Sequence, residues 1–166
     1  MDRINVFASK TSYLLLSFGI IGSLATTSVY ATTTEKLKQV VTAEQQAYLS
    51  TLKDLVNIES GSKDLAGVNQ IAQLVAERLK KTGAEVSIIE TKDIYPMDDT
   101  PEQTGPVVKA VLKGKGKSKI MLIAHMDTVY QKGMLKDQPF RVEGNKAYGL
   151  GIVDDKQGVA AIIHVL

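Results

Sequence analysis

At 166 residues, 44% of them apolar, the chain is long enough to form one packed domain. Its 20 basic and 18 acidic residues leave a formal charge of +2 spread along the sequence, and nothing in that distribution calls for a nucleic-acid or membrane-surface partner. It has no cysteine, which excludes disulfides and thiolate ligands, so any metal site must be built from histidine and carboxylates.

In chain order, Arg3 and Lys10 give a positive start to an apolar stretch at residues 13–24 (YLLLSFGIIGSL), too short to span a bilayer comfortably. Small residues follow, with Val29-Tyr30-Ala31 or Ser23-Leu24-Ala25 as cleavage sites. Residues 1–31 therefore read as a signal peptide, which makes the protein periplasmic or secreted and free of the membrane after cleavage. The alternative is an uncleaved N-terminal anchor helix. Residues 32–41 read as a tether, and the domain proper starts at residue 42.

From there the spacing predicts a helix. Thr42 and Gln45 have capping-box spacing, and Tyr48, Leu52, Leu55 and Val56 fall on one face. Glu59-Ser60-Gly61-Ser62 breaks it. A second helix carries Val68, Ile71, Val75 and Leu79, with Gly83 where a C-terminal cap belongs. Residues 85–90 and 107–113 read as strands, separated by an acidic, proline-punctuated loop at 96–106. The lysines of residues 113–119 (KGKGKSK) alternate with Gly and Ser, the pattern of a solvated turn. Residues 119–124 (KIMLIA) form a continuous apolar run, which predicts an interior strand covered on both faces. Two short strands flanking Gly144-Asn145 read as a hairpin. A last helix is predicted from about Asp155 and is still running at Leu166, which suggests truncation. This order indicates α/β layering, a mixed sheet between helices, with chemistry at the carboxyl ends of the strands.

Two segments carry chemistry. His125-Met126-Asp127-Thr128 stands where the apolar strand runs out, so that Asp127 can accept a hydrogen bond from the imidazole nitrogen facing away from a metal. Alternatively, His125 and Asp127 merely cap a loop. In residues 149–158 (GLGIVDDKQG), glycines precede paired aspartates at the start of a helix. Either aspartate could simply cap that helix. The glycines argue instead for unusual backbone angles beside a carboxylate able to bridge two metal ions. His164, among Ile162, Ile163 and Val165, reads as a structural or exposed helix residue.

Together, LVNIESGS (residues 55–62), LIAHMDTVYQKG (122–133) and PFRVEGNKAYGLGIVDDKQG (139–158) resemble the metallopeptidase family that holds glutamate carboxypeptidase, aminoacylase, carnosinase-type dipeptidases and succinyl-diaminopimelate desuccinylase. The wording is most similar to the secreted glutamate carboxypeptidases. The resemblance implies the N-terminal part of a co-catalytic zinc exopeptidase domain, with two zinc ions in the complete enzyme. It implies that His125 is a ligand of one zinc, that Asp154 bridges both, and that Asp127 is the catalytic acid orienting His125. It also implies a cis peptide bond between Asp154 and Asp155. Leu150 and Gln157 depart from the family pattern but leave these matches standing. The family's Glu-Glu pair, further acidic and histidine ligands and the dimerisation and lid domain are expected downstream, and so absent here.

The implied reaction releases a C-terminal amino acid, glutamate first, from a small peptide or N-acyl amino acid, in an enzyme that is a homodimer when complete. The alternatives are a dipeptidase or N-acyl-amino-acid hydrolase of the same family, or a non-catalytic exported gene remnant. The 166-residue chain alone is expected to be inactive.

Overall fold

The computed structural model describes residues 3–5 and 26–166, with side chains from Thr33 onward. Three helices and five strands are present among them. In order they are β1 (Arg3–Asn5), α1 (Thr26–Val56), α2 (Leu65–Lys81), β2 (Glu85–Ile89), β3 (Val107–Val111), β4 (Arg141–Glu143), β5 (Lys146–Tyr148) and α3 (Gln157–Val165). Most of the segment read as a signal peptide lies outside the described residues.

The core lies where the three helices meet. Leu52, Leu55 and Val56 of α1 are at most 1% exposed, on the face that the helical spacing predicts. They pack with Ile71, Val75 and Leu79 of α2 and with Val159, Ala160 and Ile163 of α3. Ala147 of β5 and Ile152 complete the cluster, so the turn carrying the paired aspartates is anchored in the core. Asp64 caps α2 by accepting a hydrogen bond from Gly67 N at 3.2 Å, and Gly83 takes a left-handed φ of 87° just beyond its end.

Helices and strands are both present, so the fold is α/β, and the described strands form two small antiparallel sheets in place of one mixed sheet. One has the order β1-β5-β4, and the other pairs β2 with β3. In the second, Val86, Val108 and Ala110 pack against the core. The predicted hairpin is present: Gly144, at φ 59°, turns β4 into β5 with Val142 opposite Ala147. Arg3–Asn5, within the predicted signal, pairs with β5, so cleavage after it would leave that edge of β5 open.

Three sequence expectations need correcting. Helix α1 does not begin at Thr42 but at Thr26, running through the stretch read as a tether, with residues 33–44 exposed along their whole length. That stretch contains no glycine or proline, so nothing in it stops a helix propagating backwards from the packed turns. The last helix begins at Gln157 rather than at Asp155, because both aspartates have non-helical backbone angles. Finally, residues 119–124 pair with no strand among the described residues and are not interior. Ile120, Met121 and Ile123 are 78–86% exposed. An apolar run becomes a central strand only between neighbours that complete its hydrogen-bond ladder, and none of the described strands lies beside it.

Candidate metal centre

His125 and Asp154 are 29 residues apart in sequence but meet at the same spot, with His125 Nε2 2.8 Å from Asp154 Oδ1. Three local structures bring them together.

The first is the His125–Thr128 arm, which is bonded to the loop after α1. Thr128 N–H donates to Ser60 O at 2.8 Å and Ser62 N–H donates to Thr128 O at 2.9 Å, forming a parallel bridge centred on Gly61 and Thr128. Ser60 Oγ–H donates to Met126 O at 2.8 Å. A Cβ at Gly61 would collide with the Tyr130 carbonyl oxygen, so this close approach requires glycine.

The second is the turn Ile152–Lys156, closed by Lys156 N–H donating to Gly151 O at 3.0 Å. Gly151 has φ 67°, and a Cβ there would strike the Thr128 side chain, so the aspartate turn lies directly on the histidine arm. The Asp154–Asp155 peptide bond is cis. Neither aspartate caps α3, whose cap position is Lys156, with no side-chain capping bond.

The third is a buried ionic group behind the site. Lys156 is 1% exposed and its Nζ donates to Ile58 O at 2.7 Å. Burial pushes its pKa down to about 8, with the nearby Glu59 carboxylate pulling the other way. Glu59 Oε1 accepts from Gly133 N at 2.7 Å and Leu135 N at 2.9 Å, tying the loop after α1 to the segment following the histidine arm. Those backbone donors, Leu135 first, hold its carboxyl below the usual value.

At the site itself the imidazole lies between acceptors. Its Nδ1 is 3.0 Å from the Asp127 carbonyl oxygen and 3.3 Å from Asp127 Oδ1. Partial burial pulls the His125 pKa down, but the hydrogen bond to Asp154, the Asp127 carbonyl and the two carboxylate charges outweigh it, and the net shift is upward. The side chains of His125 and Asp154 are 49% and 78% exposed, so both donors are open to an incoming ion.

The structure thus brings together all three residues singled out from the sequence, His125, Asp127 and Asp154. An imidazole nitrogen and carboxylate oxygens are donors that suit zinc, but they leave its four-coordinate shell incomplete. Among the described residues no group of three or more His, Cys, Asp or Glu is arranged to hold a metal ion. His164 stands apart from the site, between Thr51 and Glu44 of α1, and is structural. Sequence reading missed Ser62, whose hydroxyl donates to Asp127 Oδ2 at 2.7 Å. The available signal was the Ser-Gly-Ser between two helices, which reads as a helix break and as part of the family resemblance but gives the serine no role of its own.

The same stretch is distinctive in comparison with known proteins. The family model described as Peptidase family M20/M25/M40 matches residues 121–166, which contain the histidine arm and the aspartate turn. Carboxypeptidase G2 of Pseudomonas sp. (strain RS-16) is 42% identical over 130 residues, covering 78% of this chain and 29% of that protein. The Beta-Ala-His dipeptidase of Rattus norvegicus is 30% identical over 146 residues, 81% of this chain and 29% of that protein. A probable carboxypeptidase of Blastomyces gilchristii (strain SLH14081) is 32% identical over 157 residues, 91% of this chain and 34% of that protein. The chain belongs to peptidase family M20/M25/M40. It spans roughly a third or less of the length of these curated relatives.

Proposed function

We propose that this chain contributes the His125–Asp127 arm and the Asp154 turn to a two-zinc site in an exported amidohydrolase that releases a C-terminal amino acid. The 2.8 Å convergence of His125 and Asp154 is the observation that carries this reading. His125 offers Nε2 as a ligand to one ion. Asp154, its side chain 78% exposed, would supply the carboxylate shared by both ions. Asp127 accepts the Nδ1 proton and so fixes which imidazole nitrogen is free. Zinc bound there would lower the pKa of a coordinated water and polarise the scissile carbonyl.

Glutamate is the proposed leaving residue, supported by the resemblance of residues 122–133 to the glutamate subgroup and by the 42% identity to a carboxypeptidase. A dipeptidase or N-acyl-amino-acid hydrolase is the second reading, supported by the lower, 30% identity to a dipeptidase. The complete enzyme is proposed to be a homodimer, periplasmic or secreted, acting on small peptides or N-acyl amino acids. No described helix is long and apolar enough to cross a membrane. The isolated chain is proposed to bind zinc weakly and to be inactive, because His125 and Asp154 supply two ligands to one ion and a single one to the other.

The test is a calorimetric zinc titration of the chain, with the imidazole resonances of its two histidines followed alongside. The His125 resonance should shift while that of His164 stays in place, and His125→Ala should abolish the heat of binding. Zinc binding that is unchanged in His125→Ala would remove the basis of this function.

A further inference from the structure

Asp127 faces the His125 imidazole with its backbone carbonyl, 3.0 Å from Nδ1, and with its carboxylate, which can help orient the ring only if it is itself held. Its Oδ1 faces the imidazole, at 3.3 Å from Nδ1. Its Oδ2 accepts from Ser62 Oγ–H at 2.7 Å. The hydroxyl has a single proton and a second acceptor, Thr128 O at 3.1 Å, so the carboxylate holds the shorter, charge-assisted bond. Ser62 itself cannot swing away. Its N–H donates to Thr128 O, the preceding Gly61 is in the bridge to Thr128, and Asp64 N–H donates to Gly61 O at 2.7 Å. The hydroxyl is therefore fixed by the N-terminal end of α2 on one side and by the histidine arm on the other.

We infer that Ser62 is a positioning residue for the metal centre, pinning the Asp127 carboxylate through Oδ2 so that Oδ1 stays available to the His125 imidazole. This rests on the metal reading given above. Without the serine bond, the carboxylate can rotate about its Cβ–Cγ bond, and the His125 ring keeps only the Asp127 carbonyl, 3.0 Å from Nδ1, to orient it. The chain of action runs from Ser62 to Asp127 to His125, and Ser62 touches neither the metal nor the substrate. Its contribution should therefore vanish when the middle member is removed, unlike that of a residue that merely stabilises the loop.

The experiment measures zinc affinity of the 166-residue chain by calorimetry, with the His125 imidazole shift locating the ion and His164 as internal reference. Losing an outer-shell partner typically weakens metal binding by about 10–100-fold. Ser62→Ala, one step further out, should lie at the low end, near tenfold. In an Asp127→Ala background the same substitution should change affinity less than twofold. The pair Ser62→Thr and Ser62→Val guards against a fold defect, because both add the same bulk and only threonine keeps the hydroxyl. Threonine should bind zinc about tenfold more tightly than valine. Equal losses from Ser62→Ala in both backgrounds, or equal affinities for the threonine and valine variants, would overturn the inference. His125→Ala separates the two levels. If it leaves zinc binding intact, the metal reading fails. If it abolishes binding while Ser62→Ala matches the unsubstituted chain, only the role of Ser62 fails.

Discussion

His125 Nε2 and Asp154 Oδ1 lie at hydrogen-bonding distance, 2.8 Å, across a gap of 29 residues in sequence. If the two serve one ion, as proposed, they cannot contribute independently to holding it. Substituting either by alanine should weaken zinc binding by at least the roughly tenfold typical of losing an outer-shell partner. The double variant should be little worse than the poorer single, a coupling that a thermodynamic cycle of titrations measures directly. Additive losses would place the two side chains at separate sites.

Gly151 should tolerate no side chain. At φ 67°, alanine enters a left-handed conformation costing about 1–2 kcal/mol, and its Cβ would also strike Thr128. Gly151→Ala is expected to destabilise the chain by more than about 2 kcal/mol in urea unfolding and to weaken zinc binding, because the clash separates the two halves of the site.

Thr51, only 2% exposed, connects the side chains of Arg78 and His164. Arg78 Nη1 donates to its Oγ1 at 3.0 Å, and its own hydroxyl can donate to His164 Nε2 at 2.9 Å when the imidazole proton is on Nδ1, facing Glu44. Thr51→Val keeps the shape and removes both bonds. The cost should be about 1–3 kcal/mol, since polar partners are left without a mate next to the core. Zinc affinity should not change, because the network lies where α1, α2 and α3 meet rather than at the site.

Much of this organisation is legible in the sequence, and the limits are physical. Helical spacing identifies the core faces of α1 and α2 because packing decides stability there. The hairpin is signalled by Gly144-Asn145, whose backbone demands few residues can meet. Helix α1 overran its predicted start because a capping-box spacing competes poorly with a continuous run of helix-tolerant residues. An apolar composition also states what residues 119–124 need without supplying the neighbouring strands. His125, Asp127 and Asp154 could be found since their chemistry is unusual at such positions. Ser62 could not, because a serine bonding to a distant carboxylate looks the same in sequence as one in any turn.

The Glu59 clamp makes acid stability predictable. Its carboxyl is held below its ordinary value of 4.5 by the Leu135 and Gly133 N–H groups, so the folded chain binds fewer protons than the unfolded chain near that pH. The stabilisation is complete above 4.5 and is lost as pH falls through the lowered folded-state value. Glu59→Gln should therefore be less stable than the unsubstituted chain at neutral pH and should flatten the decline on acidification. Urea midpoints at pH 7 and pH 3 measure both effects; parallel curves for the two proteins would refute the clamp.

Met121, 81% exposed in the apolar run, turns that segment into a chemical reporter. Thioether oxidation to the sulfoxide follows solvent access. Dilute peroxide should modify Met121 well before Met126, which is partly buried against the core. Any polypeptide that lies over residues 119–124 would shield that sulfur, so its rate of sulfoxide formation, read by peptide mass, tells whether the run is covered.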